Sequence, residues 1–456
     1  MQMRSKVGYA IGDMGISLSY FAVGFFFMYY LTDIVGMDPY LAGLAFFIGK
    51  LWDGINDPLM GILSDRTQSR LGRKRVYILF GALPLSLSFM LLWMIPINAQ
   101  EWLQFVLAIA SLTLYATAYT VVVVPYMALV PVLTDDYDER TQITGLRAML
   151  STIGTILGGG AAMLLSSFTD EVLGLKTIAI GFGAFTLVSL LIAARSVKGV
   201  EDTVEPDSAI MELSLSRYVT LVKERNVLVL LAVKILGAIA TGTLTAALPY
   251  FAEHILGDQG QSTIGLAIYV TVSAIAIPVW NKLTQRFDKR RLLLIGNVAS
   301  ALALLSMGFL IREGSTVLFY LSCVPLGLFM SAYLLIPYSL VPDLVDFYEH
   351  KTGERHESIF FGLWMTVHQL GIAFAGLILG AVLGFFGYRG ELAYQTESAQ
   401  FAVRVAFGVI PGLFLVLTAL VLQKYGVTRL VYQKVRAELE LRAASTGDRS
   451  VRGEQQ

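Results

Sequence analysis

Cysteine is all but missing from this chain of 456 residues. Cys323 stands alone, so no internal disulfide can brace the fold. Charge is scarce as well: Asp, Glu, Lys and Arg supply 15% of the residues, against about 25% in a typical soluble domain. The formal net charge of zero says little by itself, because the charges gather in alternate loops, and no nucleic-acid partner is expected. No phosphate-cradling loop of the Walker type occurs, which argues against ATP as an energy source. The four histidines, His254, His350, His356 and His368, are scattered and form no metal-ligand cluster. No nucleophile and base can be placed together on one membrane side, so an enzyme is not expected, and neither is a cofactor. The opening MQMRSK runs directly into a long span rather than a short cleavable signal.

What the chain has in abundance is apolar sequence, 55% hydrophobic residues with a mean hydropathy of +0.66. About twelve stretches between residues 8 and 424 are long enough to span a bilayer. The expected fold is therefore an all-α polytopic membrane protein of twelve transmembrane helices. An even number of spans puts both ends on one side. One set of loops carries Arg66, Arg70, Arg73, Lys74, Arg75, Lys289, Arg290 and Arg291, while the other holds little beyond Lys176, Arg312 and Arg389. The positive-inside bias then places both termini in the cytoplasm of a plasma or inner membrane.

Two six-helix halves are expected. The run Val124-Pro125-Tyr126 with Val130-Pro131 recurs as Ile336-Pro337-Tyr338 with Val341-Pro342, and the basic triplet at 73–75 recurs at 289–291. These offsets, 212 residues from Pro125 to Pro337 and 216 from Arg73 to Lys289, agree with a duplicated unit. The expected division is an N-terminal half over 1–194, a central polar cytoplasmic linker over 195–226, a C-terminal half over 227–424 and a cytoplasmic tail over 425–456. Gly154 with Gly158, and Gly376 with Gly380, have the spacing that lets helices five and eleven pack closely.

Within the second span the run Lys50-Leu-Trp52-Asp53-Gly-Ile-Asn56-Asp57-Pro58 breaks the apolar pattern. On a helix, positions 50, 53, 56 and 57 share one face. Asp53 would lie about ten residues from the loop near Ser64, roughly 15 Å deep and close to the bilayer midplane. Ionisable residues at that depth mark functional sites by default. Two acids against one base leave a net negative site, suited to a cation. The competing reading is a packing role, with Lys50 simply neutralising Asp53. Duplicated halves with a site between them describe a secondary transporter better than a channel or receptor. His368, inside a span, would titrate near neutral pH if it faced a cavity; the alternative is a histidine hydrogen-bonded within the bundle.

At these residues the chain resembles the glycoside–pentoside–hexuronide:cation symporters of the major facilitator superfamily. The resemblance covers nearly the whole chain. It is carried by Tyr29-Tyr30-Leu-Thr32-Asp33-Ile-Val-Gly36, the Trp52 to Pro58 run, Gly61 through Lys74, and Pro342-Asp343-Leu-Val-Asp346 with Glu357-Ser358-Ile359. It implies the major facilitator fold and symport by alternating access, with a small-molecule substrate and a monovalent cation as partners. The lipid bilayer is the remaining partner, and a monomer is expected. It implies a cation set of Asp53, Asn56, Asp57 and Thr120, all oxygen ligands that suit a hard ion. Sodium or a proton would fit, since a carboxylate buried beside another has its proton affinity raised.

On the substrate side the chain departs from the family pattern. Positions that hold two sugar-binding acids in sugar-carrying members are Ser17 and Val123 here, a stacking tryptophan is replaced by Met127, and a lysine in helix eleven by Gln369. The arginine in helix five, Arg147, is kept. Lys50, Arg147, Trp364, His368 and Gln369, with Asn56, are expected to make an alternative polar pocket. A glycoside, pentoside or hexuronide is the first expectation. The second is a lysophospholipid or other amphiphile, because sodium-dependent lysophosphatidylcholine symporters share the helix-two acids and the arginine, and a lone buried arginine suits an anionic or zwitterionic head group. A sensor that keeps the transporter fold without coupled transport is the reading from another class. The loop bearing Asp65, Arg66, Arg70, Arg73 and Lys74 is expected to act as a cytoplasmic gate by pairing with neighbouring helix ends; the plainer reading is that its bases set topology.

Overall fold

The computed structural model describes residues 2–134, 136–199, 221–353, 357–392 and 394–446. Among the described residues twelve long helices follow one another: α1 (Met3–Ile34), α2 (Pro39–Arg66), α3 (Arg75–Leu92), α4 (Glu101–Met127), α5 (Asp138–Leu165), α6 (Glu171–Ser196), α7 (Arg225–Leu256), α8 (Gly260–Arg286), α9 (Lys289–Leu310), α10 (Thr316–Thr352), α11 (Ile359–Phe385) and α12 (Glu397–Leu422), before a tail helix α13 (Arg429–Thr446). Among the described residues, eleven of these are long and apolar enough to cross a membrane. The exception is α2, whose 28 residues include Lys50, Asp53, Asn56 and Asp57. The helix that fails the apolarity requirement is the one with the charged face.

Local sequence sets the helix starts. Asp38 accepts from the Tyr40 and Leu41 amides with Pro39 at the first helical position, and Asp170 and Asp288 accept from the amides of Leu173 and Arg291. α1 and α7 end alike, in a π turn (Tyr30–Ile34 and Ala252–Leu256) followed by a glycine with φ near +80°, Gly36 and Gly257. That left-handed backbone is open to glycine at little cost. α6 runs to Ser196, just past the expected boundary at 194, with Arg195 in its last turn where the helix dipole favours a cation, and α7 starts at Arg225. Most of the expected linker, residues 200–220, lies outside the described residues, as does the tail beyond residue 446.

Glycine spacing does bring helices together. A Cβ at Gly154 would strike the Met14 carbonyl and one at Gly158 the Leu18 carbonyl, so α5 lies backbone to backbone on α1. On the other side of the bundle, Gly380 of α11 meets Pro39 and Gly43 of α2, and Gly376 meets Phe46. This α2–α11 seam joins the two sets of six helices, together with α1 against α7 and α5 against α8. Gly380→Val is expected to force the seam apart, because backbone rather than a flexible side chain stands in the way. Overpacking costs about 1–3 kcal/mol. The thermal midpoint of the purified protein reads this out, with Gly24→Ala, whose Cβ would meet open space, as the unaffected control.

The described links between the halves collect toward the end of the bundle away from the chain termini. There the Tyr388 hydroxyl donates to Asp33 Oδ1 at 2.6 Å, His254 Nε2 lies 2.6 Å from the same hydroxyl, and Thr32 and Tyr250 share a 2.7 Å hydrogen bond. Thr263 of α8 donates to the Gly159 carbonyl of α5 at 2.8 Å. Nearer mid-depth the links thin to Tyr20 with Gln369 at 3.5 Å and the Phe47–Phe374 ring pair.

Candidate functional site

α2 delivers its charged face to the bundle interior. Lys50 and Asp53 are 3% and 2% exposed and form an ion pair, Nζ to Oδ2, at 3.0 Å. Lys50 Nζ also sits 4.8 Å above the Tyr20 ring of α1. Asn56, one turn along, uses its amide N–H on the Ala116 carbonyl of α4, and the Thr120 hydroxyl donates to Asp57 Oδ1 at 2.6 Å. Trp52 anchors the same pair of helices by donating to Thr117 Oγ1 at 2.9 Å. Pro58 lacks the N–H that would bond the Gly54 carbonyl, so the helix ladder is interrupted beside the acids.

One atom in this group is left over. Asp53 Oδ1 is buried and has no hydrogen-bond partner. A carboxylate oxygen in that position is costly unless a proton or cation completes it. With Asp57, Asn56 and Thr120 beside it, every group available is a hard oxygen donor, which fits a sodium ion or a proton and not a soft metal. All four residues of the expected cation set therefore meet between α2 and α4, and Lys50 is there with them.

The expected substrate residues have separate described partners. Arg147 is not a lone arginine. Asp13 of α1 takes it in a two-point ion pair, Nε to Oδ2 at 2.5 Å and Nη2 to Oδ1 at 3.2 Å. The Tyr126 hydroxyl adds a third bond to Asp13 at 2.8 Å, and the guanidinium lies over the Tyr9 and Tyr126 rings at 5.6 and 5.1 Å. The expectation of a lone arginine is corrected accordingly: its fork already holds a carboxylate in the geometry that makes such pairs strong. Ser17 bonds Ser151 at 2.7 Å, Val123 packs half-buried against the core, and Met127 is 47% exposed with its sulfur against Arg147. Gln369 reaches α1 through Tyr20, whereas Trp364 and His368 lie toward α7 and α10 around a residue the sequence reading passed over, Lys234.

The basic loop is tied down within its own half. Lys74 pairs with Asp65 at 3.4 Å and donates to the Ala128 carbonyl at the end of α4; Arg75 donates to the Ala194 carbonyl at the end of α6. Arg66 and Arg70 are exposed and Arg73 half-buried. The second half repeats the device, with Lys289 donating to the Ser339 carbonyl and pairing with Asp343 at 2.7 Å. The acid that answers the second basic cluster comes from α10 rather than from the loop.

Known proteins bear on this arrangement directly. A family model described as MFS/sugar transport protein matches residues 8–429. The chain is 25% identical to the putative glycoside/cation symporter YagG of Escherichia coli, over 98% of this chain and 97% of that one. It is also 25% identical to the sodium-dependent lysophosphatidylcholine symporter 1-A of Danio rerio, over 96% and 88%. Among solved structures, the nucleoside transporter NupG superposes with a TM-score of 0.64 over 93% of this chain and 99% of that one at 15% identity, a likeness of fold. The chain belongs to the MFS/sugar transport family and is a membrane secondary transporter, not an enzyme.

Proposed function

We propose that the chain is a cation-coupled symporter that carries a glycoside, pentoside or hexuronide with sodium or a proton by alternating access between its two six-helix halves. The observation that carries this reading is the partnerless, buried Asp53 Oδ1 beside Asp57 and Thr120. A structural ion pair alone would have no reason to leave an oxygen unsatisfied at mid-depth; a site that fills and empties during a transport cycle does. Two relatives, a putative glycoside/cation symporter and a sodium-dependent symporter, support cation coupling. The positive-inside bias supports placing the termini and the Arg66–Arg75 loop in the cytoplasm. The linked end, with Asp33, His254 and Tyr388, is then the outer end, and the Asp65 and Lys74 loop belongs to the cytoplasmic gate.

Reconstituted protein given an inward sodium or proton gradient tests the reading. Saturable uptake of a methyl glycoside or glycuronide that rises with one of the two gradients is expected. Uptake of every probe at the same rate with and without both gradients would sink coupling. Lysophosphatidylcholine belongs in the same panel, because Val123 offers apolar surface where a sugar-binding acid stands in the family pattern and Met127 where a stacking tryptophan does; the pairing of Arg147 with Asp13 weighs against it.

A further inference from the structure

Four lysines of the described residues are buried, and three have a carboxylate: Lys6 pairs with Glu139, Lys50 with Asp53 and Lys74 with Asp65. The fourth, Lys234, does not. It lies nine residues into α7, about 14 Å along the axis from Arg225, and is 3% exposed. The one described hydrogen bond of its Nζ is to the Tyr338 hydroxyl at a long 3.4 Å. Otherwise it faces aromatic rings, with Nζ 4.6 Å from the Tyr338 centroid, 4.8 Å from Trp364 and 5.8 Å from Tyr333. Ring faces soften the loss of water around an ammonium, and they carry no countercharge.

Two more buried polar atoms go unmet at the same place. The Trp364 Nε1–H is turned toward Tyr338 without reaching hydrogen-bond geometry to any partner, and His368 Nδ1 has none either. Trp364 and His368 stand one turn apart on one face of α11. An ammonium without a carboxylate and an indole N–H without an acceptor, beside an imidazole nitrogen that donates in one of its tautomers, are the complement of a group that has oxygens and negative charge. The location is also right for cargo. Gln369, next to His368 on α11, reaches Tyr20 of α1, whose ring lies under Lys50 of the α2 site.

We propose that Lys234, with the Trp364 N–H and His368, receives an anionic group of the transported molecule, a carboxylate, phosphate or sulfate, so that the substrate is an acidic sugar or similar small organic anion. This rests on the transporter reading above and narrows its substrate class. The site lies in the C-terminal half, away from Arg147, whose acid is already in place. A bound anion at Lys234 would face a bound cation at Asp53, and the pair would cross the membrane with little net charge.

The test uses the full-length protein, as wild type, Lys234→Gln and Lys234→Arg, with thermal midpoint as the binding readout. Probes are methyl β-D-glucuronide, glucose 6-phosphate, lysophosphatidylcholine and the uncharged methyl β-D-glucoside, each with and without sodium. Anionic probes are expected to protect the wild type more than methyl β-D-glucoside does, and the strongest of them identifies carboxylate, sugar phosphate or lipid head group as the source. Lys234→Gln should bind that probe at least about tenfold more weakly, with Lys234→Arg between the two. Lys234→Gln binding it within about twofold of wild type, equal protection by methyl β-D-glucoside, or no protection by any anionic probe would each overturn the proposal. Loss of the buried charge favours folding of the Gln variant, so its stability without ligand serves as the folding control. Gradient-driven uptake of methyl β-D-glucoside by the wild type separates the two readings: if it occurs while the anion arms fail, symport stands and the anion site falls. If Lys234-dependent binding appears while uptake of every probe ignores both gradients, the reverse holds.

Discussion

The Asp57→Asn protein is expected to fold and bind its substrate but to lose accumulation against a gradient. With a tenfold ion gradient and one ion per substrate, the driving force is about 1.4 kcal/mol and the ceiling is about tenfold accumulation. The variant should only equilibrate, reaching an inside-to-outside ratio of about one. The geometry makes this substitution clean. Asn keeps an oxygen to accept the 2.6 Å bond from Thr120 and leaves the Lys50–Asp53 pair untouched, so the loss is confined to negative charge at the site. Asp53→Asn removes the same charge and also strips Lys50 of its counterion in a 3% exposed position. Breaking a buried pair from one side costs about 3–5 kcal/mol. This second variant should therefore lose both coupling and thermal stability, and Lys50→Met added to it should restore stability without restoring accumulation. Gradient-driven uptake by Asp57→Asn equal to wild type would remove that carboxylate from the coupling mechanism. A rescue of accumulation by the double substitution would show that Lys50, and not cation binding, sets the phenotype.

Much of this was legible in the sequence, for a physical reason. A bilayer has so few polar residues to spend that an off-pattern run such as Trp52 to Pro58 announces itself, and helical spacing alone put Lys50, Asp53, Asn56 and Asp57 on one face. The pairing of Lys50 with Asp53 followed from i,i+3 spacing. Thr120 came only through the family resemblance, because nothing in a threonine within an apolar run says that it faces an acid on another helix. Asp13 was passed over for a different reason. Reading α1 by matching family positions led to Ser17, one turn further on, and away from an acid in plain view of the same rule that found Asp53. Arg147 then looked unpaired, which the structure corrects. Lys234 was missed in the same way: an ionisable residue well inside a span is a site signal by itself, but the expected lysine was sought in helix eleven, where Gln369 stands. Which side of α11 meets α2 and which meets α7 was not legible at all, since it depends on packing between helices far apart in sequence.

The Asp13–Arg147 pair gives the second large effect, and its sign distinguishes a brace from a binding site. Removing Asp13 leaves a guanidinium that is 12% exposed facing two tyrosine rings with no carboxylate. Removing Arg147 leaves a carboxylate that still holds the Tyr126 hydroxyl at 2.8 Å. Each single change to alanine is expected to cost about 3–5 kcal/mol, because each strands a buried charge. The double change should cost less than the two losses added together, as expected when each single variant strands the other's charge. Thermal midpoints of the four proteins in the cycle measure this without knowledge of the substrate. A substrate-binding arginine would behave otherwise: Arg147→Ala would lower affinity for the transported molecule at near-native stability, and Asp13→Ala would free the guanidinium and raise affinity for anions. Stability losses that cancel in the double variant, with binding of the Lys234-dependent probe little changed, would assign the pair to holding α1 against α5, the helices that Gly154 and Gly158 already press together backbone to backbone. The rigid α1–α5 unit would then be part of the N-terminal half that carries the α2 site as the halves exchange access.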